Sequence, residues 1–204
     1  IALVGIEKIV GTLAEYATLT QVLPRSATGQ TLTVYTNLIN GPKRLNEEDG
    51  AEEIYLIFLD NGRSEIYQSN YADSLACIRC GSCLNACPVY DVTGGHAYGW
   101  VYSGPMGAVL IPNLIGLDEA GDLPNASTLC GRCEDICPMR IPLPRMLRSL
   151  RKRQFEAEKT SRTSRWALKG WAFLAARPWL YRLGVAPVVS VLAALGRGGG
   201  RFRR

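Results

Sequence analysis

The sequence predicts three consecutive parts: an α/β segment, a mainly α-helical domain built around cysteines, and a basic helical tail. Three observations predict this. The opening residues alternate strand-like and helix-like apolar patterns. Seven cysteines then fall in two tight groups. Finally, charge is unevenly divided. Residues 1–139 hold 7 Lys/Arg and 16 Asp/Glu, a net of −9, whereas residues 140–204 hold 16 Lys/Arg and 2 Asp/Glu, a net of +14. Together these give the chain's net charge of +5.

The first elements follow from local pattern. Ile1–Gly5 is a short apolar run and reads as a strand ending in a turn. Because the chain opens on such a strand, at Ile1 rather than Met, it reads as a fragment lacking its N-terminal portion. Apolar residues at Ile6, Ile9, Val10, Leu13, Ala17, Val22 and Leu23 have helical spacing, with Pro24 expected to stop the helix. Thr31–Ile39 is rich in β-branched and aromatic residues and reads as a strand ending at Gly41-Pro42. Ile54–Leu59 is a buried strand followed by a turn at Asp60-Asn61-Gly62. The β–α–β–β order is that of the closing half of an α/β domain.

The cysteine groups carry the chemistry. The first is Cys77-Ile-Arg-Cys80-Gly-Ser-Cys83-Leu-Asn-Ala-Cys87-Pro88. The second is Cys130-Gly-Arg-Cys133-Glu-Asp-Ile-Cys137-Pro138. The first is a complete C-x2-C-x2-C-x3-C-P run, the bacterial ferredoxin pattern for a cubane iron–sulfur cluster. The expected fold is therefore an α/β fragment followed by a ferredoxin-type domain with two 4Fe-4S-type motifs and the basic tail. In two-cluster ferredoxins the cysteine before proline serves the other cluster. On that logic Cys77, Cys80, Cys83 and Cys137 hold cluster 1, and Cys87, Cys130 and Cys133 hold cluster 2. Gly81 and Gly131 let the backbone approach and turn N–H groups toward sulfur. Asp73 is a candidate cap for the turn leading to Cys77.

The second group lacks its first cysteine; Ser127 stands there. Cluster 2 has three evident thiolates. It could be a 3Fe-4S cluster, or a cubane whose fourth iron takes Ser127, another side chain or solvent. Zinc is the alternative metal, because two tetrahedral sites need eight ligands and the chain has seven cysteines and His96. Four cysteines at x2-x2-x3 spacing crowd too many thiolates for one tetrahedral ion, which favours iron–sulfur. An odd cysteine count in crowded C-x-x-C units argues against disulfides.

Between the groups, Val92–Pro112 is rich in Gly, Tyr and Trp and poor in helix formers. His96 here is either a proton donor, a ligand or a potential-tuning group, or a loop histidine bonded to backbone. Tyr98, Trp100 and Tyr102 shield a cluster from water or fill the core. Arg25-Ser26-Ala27-Thr28-Gly29-Gln30 reads as a helix-to-strand loop that could also cradle an anion.

Helices are expected over 145–159, 165–176 and 188–195, with a disordered Gly/Arg-rich end over 196–204. Arg148, Arg151, Lys152, Arg153, Arg162 and Arg165 accompany Trp166, Trp171 and Trp179. This basic, Trp-bearing tail could dock on a membrane surface or an acidic partner, or pack on the chain's own acidic body. The uncharged stretch 183–196, broken by Pro187, is too short to cross a bilayer. No nucleic-acid-binding motif accompanies the charge.

CIRCGSCLNACPVY, GGHAYGWVYSGPMGAVL and LCGRCEDICPMRIPLPRML together resemble the lactate-utilisation iron–sulfur protein B family. IALVGIEKIV, RSATGQTLTVYTNLINGP and IFLDNGRSEIY are similar to the closing part of that family's LUD domain. The resemblance implies residues 1–68 as the LUD part, 69–150 as the two-cluster domain and 151–204 as the family's C-terminal extension. It further implies a cytoplasmic three-protein complex that oxidises L-lactate to pyruvate, with two clusters on this member and a redox partner as acceptor. A serine at 127 fits the family. No nucleophile–base pair or hydride-cofactor motif occurs, so the expectation is an electron-transfer component rather than a complete catalyst. Rival readings are the iron–sulfur subunit of a heterodisulfide-reductase-like or glycerol-3-phosphate dehydrogenase complex, and a zinc-stabilised interaction module.

Overall fold

The structure is a computed structural model that describes residues 1–197. The chain divides into two compact units, Ile1–Arg153 and the residues from Gln154 onward. Mostly helical, it has a small two-stranded parallel sheet near its start.

In the first unit, β1 (Ala2–Gly5) leads through a 3-10 turn at Ile6–Lys8 to α1 (Leu13–Thr28). The start of α1 is set by a capping box: the Thr12 hydroxyl accepts from the Glu15 N–H, and the Glu15 carboxylate accepts from the Thr12 N–H. Pro24 does not stop the helix, contrary to expectation; it is buried inside it. The cost is one missing N–H donor. The stop is Gly29, which takes the left-handed conformation at φ 74° and donates to the Arg25 carbonyl. Arg25–Thr28, expected as loop, is therefore the last helical turn.

Thr31–Ile39 contains no strand, so the β–α–β–β order reduces to β–α–β. Its apolar residues are exposed, Val34 and Tyr35 at 80% each, and no sheet partner satisfies their backbone. β2 (Leu56–Leu59) pairs in parallel with β1, Ala2 opposite Leu56 and Gly5 opposite Leu59. Expected as buried, β2 is exposed along its length. At the following turn Asn61 and Gly62 both have positive φ, and Asp60 Oδ1 accepts from the Ser64 N–H at 2.8 Å. Gly62 is the N-cap of α2 (Arg63–Tyr67), and the Asp60 carboxylate meets the N–H of its second residue.

The cysteine region is a chain of short helices. A 3-10 turn at Ala72–Ala76 precedes Cys77; Tyr71, not Asp73, is its capping residue. α3 (Ser82–Asn85) and α4 (Pro88–Thr93) follow. α5 (Gly104–Ile115) occupies a stretch expected to resist helix formation. Its residues 104–112 are all buried, so packing overrides weak propensity. Then come α6 (Leu117–Ala120), α7 (Arg132–Asp135) and α8 (Leu143–Glu156).

The core forms where α8 meets α5 and α2. Leu143, Met146, Leu147 and Leu150, at i, i+3, i+4 and i+7, are all nearly solvent-free. They pack with Val109 and Ala108 of α5 and Ile66 of α2. Each such aliphatic side chain contributes about 1.5–3 kcal/mol of burial free energy. Cys77, Cys83, Cys133 and Cys137 border this same core.

The second unit contains α9 (Arg162–Ala175) and α10 (Pro178–Arg197), which pack on each other. The Ser161 hydroxyl caps α9 by accepting from the Ser164 N–H. The helix expected over 188–195 is the end of α10, which continues through Pro187. Of the expected disordered end, residues 198–204 lie outside the described residues.

Candidate functional site

The two cysteine groups fold as copies of one local design. Arg79 and Leu129, each just before a cysteine, both have positive φ, 60° and 56°. Gly81 and Gly131, each just after, have φ 79° and 90°. Each glycine opens a one-turn helix, α3 or α7. Alternating left-handed positions wrap the backbone tightly around the cysteines between them. Leu129 and Arg79 were not legible as turn residues, because non-glycine side chains rarely adopt this conformation.

One cavity is lined by Cys77, Cys80, Cys83 and Cys137, with Gly81, Met106, Ile141 and Leu143 around them. Cys137 thus joins the first group from across the domain. The thiol of Cys77 is pushed up by burial and by the nearby charges of Cys137 and Cys80. Burial pushes Cys83 up to about 12, and Cys77, Cys133 and Cys80 add to the shift. Cys133 is pushed up to about 11 by burial, with Cys130 and Cys87 as its charged neighbours. Cys87 and Cys133 are buried, whereas Cys130 is exposed. Cys130 alone of these shifted thiols is held below its ordinary range, first by the Arg132 N–H and then by the Thr128 hydroxyl.

Backbone donors point at the sulfurs. The Arg79 N–H meets Cys77 Sγ at 3.4 Å and the Tyr90 N–H meets Cys87 Sγ at 3.5 Å. Met106, in the first turn of α5, directs its N–H at Cys83. Such donors stabilise anionic sulfur. Gly81 and Gly131 act by shaping the turn, while the donors are residues near them. Cysteines gathered at a largely apolar cavity and met by N–H groups suit an iron–sulfur cluster, which is held by Cys thiolates and tuned by such bonds. Among the described residues, no three His, Cys, Asp or Glu side chains converge closely enough to grip a single ion.

Ser127 stands one turn before Cys130. Its hydroxyl accepts from the Leu129 N–H at 3.1 Å, and its carbonyl accepts from Arg151 at 2.6 Å. Thr128, not singled out by the motif, supplies the hydroxyl nearest Cys130. His96 is exposed on a one-turn 3-10 helix. Tyr98 is buried and its hydroxyl has no aligned hydrogen-bond partner. Thr93 is its polar neighbour, but the Thr93 hydroxyl donates instead to the Val89 carbonyl at 2.9 Å. Burial, with Cys87 beside it, pushes Tyr98 up to about 12. Trp100 is 40% exposed, so it covers less than Tyr98 does.

A charged group missed by motif reading ties the start of the chain to the first cysteine. Lys8 Nζ donates to the Cys77 carbonyl. Burial lowers the Lys8 pKa. The side chain of Glu7, 6% exposed, contacts Arg63 Nε at 2.7 Å and Arg79 at 3.6 Å. Arg79 also lies over the Tyr102 ring, 4.3 Å from its centre. The Ser82 hydroxyl donates to the Ser26 carbonyl, so the end of α1 docks on the first cysteine loop. That contact uses the segment offered by sequence as an anion cradle.

The chain matches two family descriptions: a LUD domain over residues 1–59 and a 4Fe-4S dicluster domain over residues 73–141. It is 45% identical over 192 residues to lactate utilization protein B of Shouchella clausii, covering 94% of this chain and 40% of that protein. Lactate utilization protein B of Bacillus subtilis (strain 168) is 45% identical, over 90% of this chain and 39% of the relative. An Escherichia coli (strain K12) protein named uncharacterized electron transport protein YkgF is 44% identical, over 91% and 39%. The chain thus spans about two-fifths of the length of these curated relatives. No solved structure matches it. With a LUD segment, a 4Fe-4S domain and this level of identity along nearly all of its length, the chain is similar to the C-terminal portion of the lactate utilization protein B family.

Proposed function

We propose that the chain is the electron-transfer part of an iron–sulfur subunit in a complex that oxidises L-lactate to pyruvate. The observation that carries this reading is the cavity that Cys137 shares with Cys77, Cys80 and Cys83. Cluster 1 is assigned to these four residues. Cluster 2 is assigned to Cys87, Cys130 and Cys133, whose mutual charge coupling at Cys133 supports the grouping. An iron–sulfur cluster, when bound, accepts and releases electrons singly. The chain's own residues bury the thiols, supply N–H donors and exclude water through Tyr98, Met106 and Leu143. Oxidising lactate to pyruvate releases two electrons and two protons; a partner carries out that chemistry and a redox acceptor takes the electrons. Residues 1–68, 69–150 and 151–204 are assigned as LUD part, cluster domain and C-terminal extension, in a cytoplasmic complex.

The test is electron paramagnetic resonance on anaerobically purified protein before and after dithionite. A reduced-cubane signal, with or without a three-iron signal in the oxidised sample, is expected. Zinc present with no iron signal in either state, and no iron lost in handling, overturns the reading in favour of a structural module.

A further inference from the structure

The second unit exposes far more apolar surface than a soluble helix pair sustains. Trp166, Trp171 and Trp179 are 75%, 62% and 63% exposed, and Leu183, Val188 and Leu192 are 66%, 56% and 59%. Exposed apolar surface on this scale, concentrated in two helices, points to an interaction surface. Three of the chain's four tryptophans lie in it.

Its chemistry is one-sided. No Asp or Glu occurs from residue 159 to the end of the chain, while Arg and Lys recur throughout. On α9, Arg162, Arg165 and Lys169 stand at i, i+3 and i+7, a single narrow basic stripe. The rest of that helix is apolar or small. On α10, Arg182 is the one charged residue between Pro178 and Leu195, so the apolar surface runs almost entirely around the helix. A bilayer boundary buries the apolar face of a helix lying on it, anchors Trp at the headgroup level and accepts Arg and Lys at lipid phosphates, so a Trp-rich, purely basic helix pair fits an anionic lipid surface. Among the described residues no helix is long and apolar enough to cross a membrane.

We propose that the α9–α10 unit is an interfacial anchor that lies on an anionic bilayer, its Trp and aliphatic side chains in the headgroup–acyl boundary and its basic stripe on lipid phosphates. This commits the tail to a lipid surface. It stands apart from the electron-transfer reading, because vesicle binding and cluster spectra are measured separately.

The experiment uses the full chain with vesicles of phosphatidylcholine, alone or with roughly a third phosphatidylglycerol. Co-sedimentation is expected to be about tenfold or more stronger on the anionic vesicles and to fall steeply with salt. Tryptophan emission is expected to shift to the blue and to be quenched by brominated acyl chains. The variant Arg162→Glu/Lys169→Glu/Arg182→Glu avoids Arg165, which pairs with Glu158 at 2.7 Å, and is expected to lose about tenfold or more of the binding. If it misfolds by circular dichroism, Arg162→Gln/Lys169→Gln/Arg182→Gln serves the same purpose. Absence of wild-type binding to anionic vesicles overturns the proposal. So does equal binding to both vesicle types, or self-association that hides the tryptophans without lipid. Unchanged cluster spectra alongside any of these leave the electron-transfer reading intact.

Discussion

Arg151 of α8 donates to the Ser127 carbonyl at 2.6 Å, and its Nε donates to the Pro124 carbonyl at 2.8 Å. One guanidinium thereby fixes the backbone that leads into Cys130. Arg151 was grouped by charge with the docking residues of the tail, yet its donors are spent inside the cysteine unit. Arg153 is likewise engaged, over the Tyr71 ring at 5.6 Å. Counting charges locates a basic region but does not say which cations face outward.

Arg151→Ala is expected to destabilise the unit by about 1–2 kcal/mol, since the carbonyls of Pro124, Asn125 and Ser127 lose a charged donor at a partly solvated site. Arg151→Lys keeps the charge but not the fork and is expected to recover only part of the loss. Urea denaturation of wild type and both variants checks this. Equal stability in all three would remove Arg151 as the holder of the loop.

Cys137→Ala is expected to abolish the first cluster's signal and spare that of the second. The basis is the cavity shared with Cys77, Cys80 and Cys83. Iron content and paramagnetic resonance of the variant decide the point. Loss of the second signal alone would show that Cys137 serves its own sequence group.

Gly107→Ala is expected to cost about 1–3 kcal/mol through overpacking. An added Cβ would stand 2.0 Å from the Tyr102 carbonyl oxygen, a backbone atom that cannot swing aside. Its neighbour Ala108 is fully buried, so α5 has little room to shift. Thermal melting of the variant should show a lower Tm; an unchanged Tm would mean that the entry to α5 yields easily.

In metal-free, reduced protein, alkylation is expected to be ordered. Cys130 is exposed and its pKa lies below the ordinary thiol value, so its thiolate is populated at a lower pH than usual. Cys83 and Cys133, pushed up to about 12 and about 11, remain thiols at neutral pH. Raising pH from neutral therefore accelerates labelling of Cys83 and Cys133 last. Timed iodoacetamide labelling read by mass spectrometry should find Cys130 first. Early labelling of Cys83 would contradict the buried cavity.

The sequence by itself determined the chemistry and its coarse place. Ligand spacing is local, so Cys77-x2-Cys80-x2-Cys83 and its shorter echo at Cys130 specify tight thiolate-bearing turns wherever they stand. The helical tail and its charge were equally legible, because periodicity and composition are properties of a short window. Local pattern was less reliable where packing or pairing decides. Thr31–Ile39 has strand-forming residues but no partner, and Val92–Pro112 has poor helix formers yet supplies much of α5, because burial outweighs propensity there. Ligand-swapping logic had already grouped Cys137 with Cys77, Cys80 and Cys83, whereas only the tertiary structure brought Lys8 to the Cys77 carbonyl and Arg151 to Ser127. These contacts join residues 69 and 24 positions apart in the chain, so neither leaves a mark on the local pattern of either partner.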